Sequence, residues 1–280
     1  MNNKKTSILA YPYIIWSALF IVIPLIIVLF FSFTQKINSS YSFSLDNYNK
    51  LLNPQYLYIF KQSLWLAFES TIACLILGYP ISYIIAKIDK CKRNFLIMLF
   101  ILPMWMNFLL RTYAWVPILG KTGLVNLLLR QLGIGPISFL YNDGAVLLGM
   151  VYNFLPFMVL PIYTSLIKMD QDLINAAHDL GAGRIKVFTK IIIPLSIPGM
   201  ISGITMVFMP SVSTFVISRL LGGGQYMLLG NVIEQQFTTM GDWNLGSAIS
   251  IIMMIIILIF MALTSRFENN DSKEGGGQLW

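Results

Sequence analysis

The chain has 280 residues, of which 56% are hydrophobic and only 11% charged, with a net charge of +7. Soluble domains carry about 25% charged residues, so most of this chain cannot face water. Its apolar blocks are long enough to cross a hydrocarbon layer of about 30 Å at roughly 1.5 Å per residue. Only helices and closed barrels satisfy their own backbone in lipid, and a long apolar run such as 249–263, broken only by Ser250, excludes the alternation of a barrel strand. The positive balance does not call for nucleic acid, because basic residues collect in short loops and orient the spans. The expected fold class is therefore an all-α integral membrane protein.

Six spans are predicted in chain order. The first, 8–33, follows Lys4 and Lys5 and is interrupted by Pro24. It is longer than a signal-peptide core and has no small-residue cleavage site, so it reads as a retained helix. The others are 62–86, 95–119, 144–167, 191–217 and 245–265. With the N-terminus inside, the inner side holds twelve lysines and arginines and the outer side six. That bias places both termini in the cytoplasm. Residues 1–267 form one expected permease domain, and 268–280 are expected to be a disordered tail. Cys74 falls within a span and Cys91 in an inner loop, so no disulfide is expected between them.

The inner segment 168–190 is long and amphipathic. Leu173, Ile174, Ala177, Leu180 and Ile185 recur at near-helical spacing, with Asp170, Asp172, Asp179, Arg184 and Lys186 between them. Asp170 or Asp172 suits a helix start, and Gly181 and Gly183 suit its end. A solvated connector and a docking helix both satisfy this pattern. Within it stand Asn175-Ala176-Ala177, then Gly181 after three intervening residues, then Ile191-Ile192-Ile193-Pro194 after nine more.

That spacing resembles the EAA signature of ABC-importer permeases, with Asn175 in place of the glutamate and Ile193 in place of the leucine. The resemblance extends to Leu102-Pro103-Met104-Trp105, Leu110-Arg111-Thr112-Tyr113-Ala114-Trp115, Leu77-Gly78-Tyr79-Pro80, 155–161, and 221–224 with 230–233. All of these are similar to spermidine/putrescine permeases of the PotB type. The resemblance implies the type I ABC importer permease fold and a coupling helix carrying Asp172, Asn175, Ala176, Ala177, His178, Asp179, Gly181 and Pro194. It also implies a homologous second permease (PotC-like), an ATPase dimer (PotA-like) that carries ATP and Mg, and an extracytoplasmic binding protein (PotD-like) that meets 225–242. No cofactor is expected in this chain.

Four intramembrane residues are candidates for the substrate path: Glu69, Trp105, Arg111 and Tyr152. An ionisable group in a span usually faces a cavity or a partner, so Glu69 reads either as a contact for a polyamine cation or as a structural partner of Arg111. Trp105 and Tyr152 offer cation–π faces, whereas Tyr113 and Trp115 suit an interfacial belt. Pro156, Pro161, Pro194, Pro198 and Pro210 permit kinks, and Gly199 with Gly203 suits close helix packing. Gly222-Gly223-Gly224 lacks the Gly-Lys-Ser/Thr of a phosphate loop. No Walker sequence, catalytic triad or metal-ligand cluster is evident. Three rival readings remain: an importer for an oxyanion or phosphonate; an ion-coupled secondary transporter, which predicts an inverted repeat and several intramembrane charges; and a membrane scaffold without transport, which has no need of the coupling motif.

Overall fold

A computed structural model describes residues 12–37, 40–224 and 226–274. Contacts divide the expected domain into two compact units, one of 1–60 with 232–256 and one of 61–231 with 257–280. Each is taken in turn.

The first unit opens with α1, Pro12–Ser32, which is long and apolar enough to span a membrane. Residues 8–11 of the expected first span lie outside the described residues. Within α1, Ala18–Val22 adopts a wider π turn in which the Ile23 N–H bonds the Ala18 carbonyl. Pro24 follows at once, and a proline both lacks a donor and crowds the preceding turn, so the helix widens just before it. A short hairpin, β1 (Thr34–Ile37) and β2 (Ser40–Phe43), then pairs Thr34 with Phe43. It leads through α2 (Asp46–Leu51) into α3, Pro54–Lys87. The exit of α1 is held by amides: Asn47 Nδ2 donates to the Thr34 carbonyl at 3.0 Å, and Asn244 Nδ2 donates to it at 2.7 Å and to the Phe31 carbonyl at 3.0 Å. Ser32 and Tyr48 share a hydroxyl–hydroxyl bond beside them.

In the second unit α3 continues to Lys87, with Pro80 inside it. The third span departs from expectation. Instead of a continuous helix over 95–119, α4 (Lys90–Trp105) and the segment Phe108–Gln131 meet at a 98° bend. Pro103 sits in the last, 3-10, turn of α4. Asn107 then caps the next helix, its side chain accepting from Leu109 N at 2.8 Å and Leu110 N at 3.3 Å. A proline followed by a capping amide ends one helix and starts another more readily than it continues one. The segment comprises α5 (Phe108–Tyr113), α6 (Trp115–Leu119) and α7 (Leu124–Gln131).

The unit is built around α8, Asp143–Ile167, whose Val146, Met150, Met158 and Ile162 are fully buried. Against it lies the long helix α10, Arg184–Ser213, which follows α9, Gln171–Asp179. Glycines set the spacing. A Cβ on Gly199 would stand 2.5 Å from Ser165 Cβ and 2.8 Å from the Pro161 carbonyl, and one on Gly203 would stand 2.7 Å from Met158 Sδ. The expected close packing at Gly199 and Gly203 is therefore backbone against backbone. Hydroxyls add polar ties: Ser82 Oγ donates to the Val159 carbonyl at 3.0 Å, and Tyr79 OH meets Ser196 Oγ at 3.0 Å.

After α11 (Val216–Leu221) the chain turns through Gly223 and Gly224, both at positive φ. Asn231 in α12 (Leu229–Gln235) closes this turn, accepting from Ser218 Oγ and Leu228 N and donating to the Phe215 carbonyl. The last helix, α13, runs from Trp243 to Glu274. The tail expected to be disordered from 268 is thus helical in its backbone through Glu274, because no glycine or proline interrupts 247–274. Residues 275–280 lie outside the described residues. Among the described residues, five helices are long and apolar enough to cross a membrane, or six with the bent pair counted as one span. Cys74 is buried and Cys91 exposed, and both are free thiols.

Candidate functional site

The loop between α8 and α10 folds as the composition of 168–190 suggests. Asp170 caps α9, its Oδ1 accepting from the Asp172 N–H at 2.9 Å. At the other end the Ala182 N–H reaches back to the Ala177 carbonyl at 3.0 Å, and the Gly181 N–H bonds the His178 carbonyl at 2.9 Å. Those two bonds with Gly181 at φ +78° form a Schellman stop. His178 completes it: its Nδ1 lies 3.1 Å from the Ala182 carbonyl. A carbonyl only accepts, so Nδ1 carries the proton in this arrangement.

The helix so fixed has two faces. Ile174, Ala177 and Ala182 pack against the core, while Asp172, Asn175, Ala176 and Asp179 are exposed. Leu180 and Ile185 are 89% and 81% exposed, and Leu173 is exposed as well. Apolar side chains held out on a rigid, capped turn form a surface suited to a partner's cleft. Beyond the loop, Phe188–Ile192 forms a π turn in which the Ile193 N–H bonds the Phe188 carbonyl. Pro194 follows it, as Pro24 follows the π turn of α1.

The intramembrane candidates separate. Arg111 is only 7% exposed. Its Nε donates to Asn153 Oδ1 at 2.8 Å, its Nη1 to the Pro103 carbonyl at 2.8 Å, and its guanidinium lies 5.8 Å from the Tyr152 ring centroid. Asn153 in turn donates to Thr112 Oγ1 and to the Gly149 carbonyl. Glu69, half-buried on α3, is not among the partners of Arg111, so the structural pairing open in the sequence is not formed. The carbonyl that takes its place, that of Pro103, also accepts the Met106 N–H at 3.1 Å in the 3-10 turn. Tyr152 meets Trp115 edge-on at 5.3 Å, which joins one expected path residue to one expected belt residue. Trp105 stands apart at the bend, 83% exposed. Asn153 was not legible as a partner of Arg111, since nothing local marks which amide meets a charge 42 positions away. A further concavity of about 670 Å³ follows α8 and α10, lined by Phe157, Pro161, Thr164, Ser165 and Pro198.

The fold is shared with a chain of a bacterial ABC transporter involved in the import of the acidic polysaccharide alginate. The two superpose with a TM-score of 0.81 over 95% of this chain and 96% of that one, at 18% identity. At that identity the likeness is one of fold, a helical membrane protein of this architecture. A family model for the binding-protein-dependent transport system inner membrane component matches residues 78–270, and the chain belongs to that family. Among its relatives, the spermidine/putrescine transport system permease protein PotB of Escherichia coli (strain K12) is 40% identical over 247 residues, 86% of this chain and 90% of that protein. PotB of Haemophilus influenzae is 38% identical over 268 residues, covering 93% of this chain and 94% of its own.

Proposed function

We propose that this chain is the permease subunit of an ATP-driven importer for spermidine and putrescine, and that it forms half of the translocation path. The observation that carries this reading is the 40% identity to PotB along nine tenths of that protein. The partners we assign are a PotC-like second permease, a PotA-like ATPase dimer and a PotD-like binding protein. ATP and Mg belong to the ATPase, and both termini of this chain lie on the cytoplasmic side with it. The exposed Leu173, Leu180 and Ile185 seat α9 in the ATPase, and its movement on nucleotide closure reaches α8 and α10 as rigid-body rocking. Tyr152 and Trp105 offer aromatic faces to a passing ammonium, and Glu69 is the carboxylate within a span that complements it.

The test is ATPase activity of the co-purified complex in lipid nanodiscs with its binding protein, titrated with spermidine, putrescine and a panel of oxyanions. Stimulation by polyamines, lost in a Leu180→Asp/Ile185→Asp variant that still expresses and folds, supports both cargo and coupling. Stimulation by an oxyanion alone overturns the cargo assignment and leaves the importer standing.

A further inference from the structure

Behind α9 lies a cavity of about 760 Å³ whose polar lining includes Lys87, Arg93, Arg184, Gln171 and Asn175. Among the described residues that line it there is no aspartate or glutamate. Three formal positive charges therefore share one concavity without a counter-charge on its walls. The Arg93 Nε is enclosed and has no hydrogen-bond partner, a donor left unmet where proteins seldom leave one. Lys87 leans over the Tyr83 ring, its Nζ 4.3 Å from the centroid.

Two helix starts add to the positive potential. The α4 helix begins at Lys90 after Asp89 at its N-cap, whose side chain makes no capping bond, and Arg93 stands in a first turn that holds no acidic residue. The segment beginning at Arg184 is likewise without an acidic residue or a side-chain cap, and follows Gly183. Helix N-termini carry the positive end of the backbone dipole and favour anions. Cations in both first turns work against that preference; Asp89 offsets this at the start of α4, whereas the start at Arg184 has no acidic residue of its own. The rest of the wall is formed by Tyr83 and His178 together with apolar residues such as Leu166, Ile174 and Ile192. The cavity sits where α3 ends and α4 begins, at the ends of membrane spans, the level at which basic pockets between helices meet anionic headgroups.

We propose that this cavity binds a phosphate-bearing anion, either a lipid headgroup or free phosphate, and that the bound anion braces the coupling loop through Arg184 and Asn175. Arginine forks match phosphate oxygens in a bidentate manner, and Arg93 and Arg184 bring one fork from each of two elements. The inference does not depend on which solute is carried.

The experiment uses the full-length chain, with the subunits that co-purify, exchanged into nanodiscs of phosphatidylcholine with or without phosphatidylglycerol. Retained lipid is counted by native mass spectrometry. The expected result is retention of phosphatidylglycerol over phosphatidylcholine, reduced at least about tenfold in Arg93→Gln/Arg184→Gln. Asn175→Glu is the decisive variant, because it keeps both arginines and supplies an internal carboxylate on a side chain only one methylene longer than that of asparagine. It is expected to abolish retention with an unchanged melting temperature in phosphatidylcholine. Inorganic phosphate, titrated into the lipid-exchanged protein, separates the two sources: a rise in melting temperature that Asn175→Glu removes assigns the site to soluble phosphate. Equal retention by wild type and Asn175→Glu, together with no response to inorganic phosphate, overturns the proposal.

Discussion

Arg111 carries a charge at a depth where charge is expensive, and the chain meets that expense with neutral groups. An amide, a carbonyl and a tyrosine face replace the carboxylate that the sequence makes plausible. Asn153→Leu is expected to lower stability by about 1–3 kcal/mol, the cost of leaving a buried charged donor without its acceptor. Thermal unfolding in detergent measures this, and Asn153→Asp is expected to retain most of the stability by pairing directly. Gly181→Ala forces an alanine into the left-handed region and is expected to cost about 1–2 kcal/mol, read as faster amide exchange at the end of α9. Single residues were legible in the sequence where their role is local, as with Asp170 at a helix start and Gly181 at its end. They were illegible where the role is a distant partner. Asn107, Asn126, Asn153, Asn231 and Asn244 all satisfy backbone or side-chain groups here, and an asparagine looks the same in sequence whichever group it serves.

Among the elements, α8 is the most enclosed, and its contact with α10 tolerates no added bulk at Gly199. Gly199→Leu drives a side chain into Ser165 and the Pro161 backbone and is expected to abolish folding into a detergent-stable state. Gly199→Ala, which collides with less, is expected to cost about 1–3 kcal/mol. Size-exclusion profiles of the purified variants distinguish the two. Hydropathy located α3, α8, α10 and α13 because each keeps an apolar run longer than the hydrocarbon layer is thick. The third span was misread because apolarity persists across the bend: Met106, Leu109 and Leu110 are as greasy as the helices on either side. Only Pro103 and Asn107 mark the break, and a proline inside α3, α8 or α10 interrupts nothing. The same residue type ends one helix and not another because an adjacent cap is present in one case and absent in the others.

For the molecule as a whole, orientation rests on the distribution of lysine and arginine. It yields an expected outcome at two cysteines. A membrane-impermeant maleimide applied to inside-out vesicles is expected to label Cys91, which is exposed, and not Cys74, which is buried. Right-side-out vesicles are expected to show neither. Labelling of Cys91 from outside would invert the topology and remove the coupling loop from the ATPase side. The long apolar stretches were enough to read the class, and the spacing around Asn175 the family. Neither could reveal the cationic cavity, since Lys87, Arg93, Asn175 and Arg184 converge only after α3, α4, α9 and α10 have packed.

The fastening of α1 bears on the order in which the chain is made. Its most apolar stretch buries nothing within the chain, and the Thr34 carbonyl at its exit is held by Asn47 close by and by Asn244 more than two hundred positions later. A ribosome delivers the first of these amides early and the second only when the final span emerges. Until then the Thr34 carbonyl has only the first of its two amides, and a nascent chain stalled before residue 244 presents a less firmly held edge to quality-control proteases. Arrival of the last helix would act as a latch, so that resistance to proteolysis at 33–45 appears abruptly with completion of the chain rather than growing with its length.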